Sequence, residues 1–239
     1  TVAFVVSACS GPRRAPAPVP PPGPPVVYAA VGASETIGDG TSEPLREAWP
    51  QLVFAAMPNS ASFVNLGFQG ATTADAITRE VPVAESLHPT VVTVWLNVND
   101  LIDGVSATDF QAHLHTILQR LRATGAAVYI ANTPALDHLP IYLACRRPVP
   151  TACPAGVPDP LPAPAVLNRM VDDYNAATAS AAAATGATVV DLHAASLTAR
   201  ADDSEPNLIS ADGFHPNAAG ARRVADVFIS TLRATRALP

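Results

Sequence analysis

The sequence predicts a three-layer α/β/α sandwich around a five-stranded, mainly parallel sheet of flavodoxin-like type. Five short apolar runs have strand length, segments with helical spacing lie between them, and Gly punctuates the ends of several helices. The chain has 239 residues, 49% of them apolar and only 14% charged. That is enough apolar material for a sizeable core, and it excludes wholesale disorder.

The elements follow in order. Residues 26–31 (VVYAAV), 62–66 (SFVNL), 91–96 (VVTVWL), 126–131 (AAVYIA) and 187–192 (ATVVDL) are the strands. Their unbroken runs suit strands covered on both faces. Residues 42–57 form one helix, with Leu45, Ala48, Trp49, Leu52 and Ala56 on a single stripe. Residues 72–86 form a second. Residues 107–124 carry Phe110, Leu114, Ile117, Leu118 and Leu121 and stop at Gly125, a residue suited to ending a helix. Residues 164–185 are Ala-rich and stop at Gly186. Residues 217–235 form the last helix, with Val224, Val227, Phe228 and Leu232 inward and Asn217 as its cap. Residues 133–163 are a long Pro-rich loop, of the length that is usually functional in a compact domain.

Residues 1–25 stand apart from the domain at 26–239. They begin TVAFVVSAC and continue into a Pro-rich tract. Val6-Ser7-Ala8-Cys9 resembles a bacterial lipobox. The expected reading is the remnant of a leader whose start is missing, a lipid on Cys9, and an extended tether holding the domain off a membrane. Cys145 and Cys153 lie eight apart in the loop with two Pro between them, and are expected to form a disulfide, as in an oxidising compartment. The expected location is therefore extracytoplasmic, in a bacterium, as a lipid-anchored or secreted monomer.

Composition narrows function. All 14 basic residues are Arg. Without Lys there is no Schiff base, no Ser-Lys dyad and no P-loop lysine. Net charge is −6 and no basic run exceeds a pair, so no nucleic-acid partner is expected. No Cys-x-x-Cys or Cys-x-x-His spacing marks a zinc site, and neither metal nor organic cofactor is expected.

Four segments at strand ends or beside a helix start could carry chemistry. Gly32-Ala33-Ser34 follows the first strand and exposes a Ser on a turn. Gly70 follows the second strand and precedes a helix, where its N–H could meet an anion. Asn97-Val98-Asn99-Asp100 follows the third strand. Asp212-Gly213-Phe214-His215 precedes the last helix, and a carboxylate three residues before an imidazole can orient it. The Gly-x-Ser-x-Gly elbow of α/β-hydrolases is absent, since Thr36 takes the last Gly position. His193, two residues after Asp191 in a segment read as extended, is a competing base. His113 and His115 fall on a helix, His88 in a turn and His138 in the long loop.

Together the four segments resemble the SGNH (GDSL-type) hydrolase family, over the domain from about residue 26 onward. The resemblance implies Ser34 as nucleophile, His215 as base and Asp212 as its orienting carboxylate. It implies an oxyanion hole from the Ser34 N–H, the Gly70 N–H and the Asn99 side chain. Ala33 and Asn97 depart from the pattern, standing where the family has Asp and Gly. The activity implied is hydrolysis of short- or medium-chain acyl esters through an acyl-enzyme. Lysophospholipid and carbohydrate O-acetyl substrates are alternatives, and a non-catalytic binding lipoprotein is the rival from another class. Asn97, Leu136, His138 and Tyr142 are the candidate substrate contacts. Base catalysis requires a neutral imidazole, so turnover is expected to fall as pH drops below about 6–7.

Overall fold

A computed structural model describes residues 25–146, 153, 157 and 160–238. The leader, Cys9 and most of the tether lie outside the described residues. Five strands, β1 (Val27–Gly32), β2 (Ser62–Asn65), β3 (Val91–Trp95), β4 (Ala127–Ala131) and β5 (Thr188–Val190), form one sheet in the order β2-β1-β3-β4-β5. Every neighbouring pair is parallel. The order reverses between β1 and β3, and the carboxyl ends of strands at such a switch point are where open α/β sheets bind ligands.

Parity within each strand sorts the apolar runs between two cores. Ala29, Val31, Val92, Val94, Val128 and Ile130 face one side. They pack on α4 (Thr73–Arg79), α5 (Val81–Ser86), α7 (Ala107–Ala123) and α9 (Pro164–Thr185). Tyr28, Ala30, Val91, Trp95, Tyr129 and Val190 face the other, against α3 (Trp49–Ala55) and α11 (Ala218–Ala234). Trp49 stacks on Phe228 with ring centroids 4.3 Å apart. Full burial of a ring such as Phe228 is worth roughly 1.5–3 kcal/mol, against about 0.5–1.5 for the stacking geometry. Burial therefore contributes more to stability, and stacking selects the arrangement.

Two expected helices are each broken in two. The first, predicted over 42–57, is α2 (Pro44–Glu47) followed by α3, with Ala48 extended between them. Pro50 has no N–H to offer Arg46, and its ring would meet that carbonyl in a continuous helix. Leu45, expected on the buried stripe, is 88% exposed. The second, predicted over 72–86, divides into α4 and α5 at Glu80, two residues before Pro82. The loop at 133–163 contains α8 (Pro140–Cys145), and Cys145 is disulfide-bonded to Cys153. Shorter elements complete the domain: α1 (Ser34–Ile37), α6 (Val98–Ile102), α10 (Leu192–Ala201) and a 3₁₀ turn at Glu205–Asn207. No helix among the described residues is long and apolar enough to cross a membrane.

The break at Glu80 aims an acid at the end of β1. Glu80 Oε2 accepts the Gly32 N–H at 2.7 Å, while Oε1 is buried without a partner. Burial pushes this carboxyl up to about 8, against the opposing pull of the Gly32 bond. Its proton is thus held in the folded state and released more readily in the unfolded one. The stability Glu80 contributes is complete below its ordinary 4.5 and is lost as pH rises to about 8. Urea melts at stepped pH are expected to show wild type losing stability relative to Glu80→Gln across that window, by at most about 4–5 kcal/mol. Parallel curves for the two proteins would refute this account of Glu80.

Candidate active site

The last residue of β1 has to be glycine. A Cβ on Gly32 would lie 2.0 Å from Thr36 Oγ1 and 2.8 Å from the Trp95 carbonyl. This close approach lets the chain turn at Ala33 directly into α1, whose first residue is Ser34, 4% exposed. The loop after β2 closes over the turn, with the Phe68 N–H donating to the Gly32 carbonyl at 3.2 Å. Asn65 ties the two together: its Nδ2 donates to the Thr36 carbonyl at 2.7 Å, and its Oδ1 accepts the Gly67 N–H at 3.1 Å.

Opposite Ser34 stands the turn 210–216. It is closed by the Ser210 N–H donating to the His215 carbonyl at 2.8 Å and the Asn217 N–H donating to the Leu208 carbonyl at 2.9 Å. Asp212 Oδ1 accepts from the Ser210 hydroxyl, the Phe214 N–H and the His215 N–H at 2.7–2.9 Å. Its Oδ2 lies 2.6 Å from His215 Nδ1. Partial burial works to raise Asp212, but the bonds from the His215 ring, Phe214, Ser210 and the His215 backbone outweigh it and hold the carboxyl at about 2. An ionised Asp212 can only accept, so Nδ1 carries a hydrogen. The Nε2 lone pair of a neutral ring is then free to accept the Ser34 hydroxyl, 3.0 Å away. The structure thus brings Ser34, His215 and Asp212 into one chain of hydrogen bonds.

The other expected donors lie on the segments that follow the neighbouring strands. Gly32 pairs with Trp95, so the segment after β3 emerges beside the Ser34 turn. Asn99 is half-buried and spends one amide hydrogen on the Ala71 carbonyl at 2.9 Å. Its second amide hydrogen and the N–H groups of Ser34 and Gly70 donate to nothing among the described residues. Asp100 joins the two loops from beneath. Fully buried, it accepts the Thr73 N–H at 2.9 Å and the Thr73 hydroxyl, which itself lies 3.0 Å from His113 Nδ1.

A groove of about 780 Å³ opens beside Asp212 and His215. Val98, Leu101, Ile141, Tyr142, Leu161 and Met170 line it, and Leu136 reaches it as well. Two candidate contacts fall elsewhere. Asn97 is 3% exposed and sits beneath the start of α6, outside the groove lining. His138 points outward from the loop, 3.8 Å from Glu205. The competing His193 lies on α10 rather than on an extended segment, with Nδ1 on the Thr133 carbonyl at 3.1 Å. Its Asp191 caps that helix by accepting the Ala194 N–H. His115 is half-buried on α7, and His88 is exposed with a positive φ of 47°.

Asp100 belongs to a segment already singled out in the sequence, but its burial against Thr73 is not legible there. Gly40 is not singled out there at all; it sits at φ +93°, where a Cβ would lie 2.5 Å from the Pro216 carbonyl and 2.8 Å from His215 Cβ. The spacing Gly38-Asp39-Gly40 is the only hint, since left-handed turns call for glycine.

Fold and site together define a hydrolase built on a parallel sheet. The chain belongs to the GDSL-like lipase/acylhydrolase family, whose model matches residues 30–223. Solved structures share the fold at low identity. TesA is 20% identical with a TM-score of 0.66, the match covering 87% of this chain and 98% of that one. Esterase EstA from Pseudoalteromonas sp. is 16% identical at a TM-score of 0.63, covering 88% and 98%. An acetyl-xylooligosaccharide esterase from Geobacillus Stearmophilus is 17% identical at 0.64, covering 87% and 94%. No curated protein matches the sequence.

The Gly40 contact yields a test. Gly40→Ala is expected to keep the fold with a loss of roughly 1–3 kcal/mol, from strain at positive φ, and to lower ester turnover by at least about tenfold through displacement of His215. Denaturant melts and initial rates check both; wild-type turnover in a folded Gly40→Ala protein would show that the contact is immaterial.

Proposed function

We propose that the chain is a serine ester hydrolase that works through an acyl-enzyme on short- to medium-chain acyl esters. The observation that carries this reading is the unbroken chain from Asp212 through His215 to Ser34 beside an apolar groove. Ser34 Oγ attacks the ester carbonyl carbon as its proton passes to His215 Nε2. Asp212 holds the ring and stabilises the imidazolium. The carbonyl oxygen, now negative, takes hydrogen bonds from the Ser34 N–H, the Gly70 N–H and Asn99. The C–O bond to the alcohol breaks and His215 returns the proton to the leaving oxygen. Water then enters, gives a proton to His215, attacks the acyl carbon, and Ser34 leaves with its hydrogen restored.

The groove supports the acyl preference. A volume of about 780 Å³ lies within the range that encloses most of a small ligand. Apart from Asp212 and His215, its lining among the described residues holds no charged side chain. A lining so largely apolar suits an acyl chain. Trp49 and Trp95 are buried in the core, which leaves no exposed indole for stacking a sugar. The disulfide supports action outside the cytoplasm, where such bonds persist, and an anchor on Cys9 would agree with that location.

The decisive assay is hydrolysis of p-nitrophenyl esters of graded acyl length by wild type, Ser34→Ala and Asn99→Ala. Wild type is expected to peak at short to medium chains and Ser34→Ala to lose nearly all turnover. Asn99→Ala should lose about 10²–10³ in kcat with KM little changed, as for removal of one oxyanion donor. Full turnover by Ser34→Ala would overturn the assignment of the nucleophile.

A further inference from the structure

The residue after Ser34 is a carboxylic acid. Glu35 Oε2 lies 3.5 Å from Ser34 Oγ, while His215 Nε2 lies 3.0 Å from the same oxygen. One hydroxyl hydrogen therefore has two acceptors within reach. Glu35 does not line the groove. It lines a separate cavity of about 120 Å³ behind the triad, walled by Trp95, Leu208, Ile209 and Phe214. Phe214, Val98, Leu136 and Leu139 border both spaces and partition them.

The charged and titratable groups around Glu35 come from four elements. Asp39 stands beyond the end of α1, and His215, with Asp212 behind it, stands on the turn 210–216. Glu205 and Arg223 line the same cavity from the 3₁₀ turn and from α11. Glu35 forms an ion pair with none of them. Burial pushes its carboxyl above the usual range; its own N–H, His215 and the Ser34 hydroxyl pull the other way, and Asp39 reinforces burial.

We propose that Glu35 is a positioning residue that sets the alkaline limit of turnover: protonated, it leaves the Ser34 hydroxyl to His215, and ionised, it withdraws it. A neutral carboxyl accepts weakly, so the shorter contact to His215 prevails. A carboxylate competes through a charge-assisted bond. It also places a negative charge next to Ser34, whose attack makes the substrate's carbonyl oxygen negative. Both effects oppose attack. The proposal rests on Ser34 being the nucleophile.

The test is kcat/KM for p-nitrophenyl butyrate from about pH 6 to about 10, where limbs report groups of the free enzyme. Wild type is expected to fall at least about tenfold on the alkaline side, and Glu35→Gln to lose that alkaline fall while keeping the acid limb of His215. Glu35→Asp, which keeps the charge but shortens its reach, should move the midpoint, and it stands in should the Gln variant not fold. Glu80→Gln removes the buried acid that accepts the Gly32 N–H and should retain the wild-type fall. The role of Glu35 is overturned by a wild type with no alkaline fall, by Glu35 variants that superimpose on wild type, or by Glu80→Gln flattening the profile. Ser34→Ala measured alongside separates the two readings. Retained turnover there removes the nucleophile and this proposal together, whereas Ser34-dependent turnover with unmoved Glu35 profiles removes the proposal alone.

Discussion

The contact between Ser34 and His215 joins residues 181 positions apart, and the rest of the domain is arranged so that it closes at 3.0 Å. Neither side chain can find the other by local structure. Ser34 is placed by the end of β1 and the tight approach at Gly32. His215 is placed by a turn whose backbone closes on itself and whose Asp212 gathers two N–H groups, a hydroxyl and the imidazole. That turn is anchored by Asn217, which caps α11 and donates to the carbonyls of Asn207 and Ile209. A rigid frame on both sides is what keeps a buried hydroxyl and an imidazole within reach without a covalent link.

Acids at the mouth of β1 divide the electrostatic work. Asp212 is held ionised by the donors around it and fixes the tautomer of His215. Glu80 and Glu35 are pushed toward the protonated form by burial, and they contact the Gly32 N–H and the Ser34 hydroxyl of the same short turn. Asp100 is buried beneath the neighbouring loops and clamps them through Thr73. Carboxyls of one chemistry thus behave differently because their hydrogen-bond donors and solvent differ, the principle by which one fold can run both acid and base chemistry.

The segment between β4 and α9 shapes what can enter. Its short helix α8 docks on the turn 210–216 through the Ile141 N–H donating to the Gly213 carbonyl at 3.1 Å. Tyr142 turns its hydroxyl back to the Pro162 carbonyl, at 2.7 Å, and leaves its ring to the groove. The same segment therefore supplies apolar wall to the groove and a brace to the turn that carries Asp212 and His215.

Much of this protein was legible in the residues alone. Five apolar runs separated by helical spacing were sufficient for the parallel sheet, because a strand covered on both faces needs no polar alternation. The helices at 107–124, 164–185 and 217–235 were marked by their stripes and caps. The breaks at Ala48 and Glu80 were also written in the sequence, in Pro50 and Pro82, but apolar periodicity masked them. Ser34, Gly70 and Asn99 were recognisable in short blocks after strands, and Asp212 and His215 in a block before the last helix. What only the tertiary structure decided was which groups share a space. Glu35 came to lie beside Ser34, Glu80 under Gly32 and Gly40 against His215, while Asn97 and His138 fell outside the groove lining. Such placements depend on the paths of elements distant in sequence, and on burial and donor geometry that no local pattern encodes.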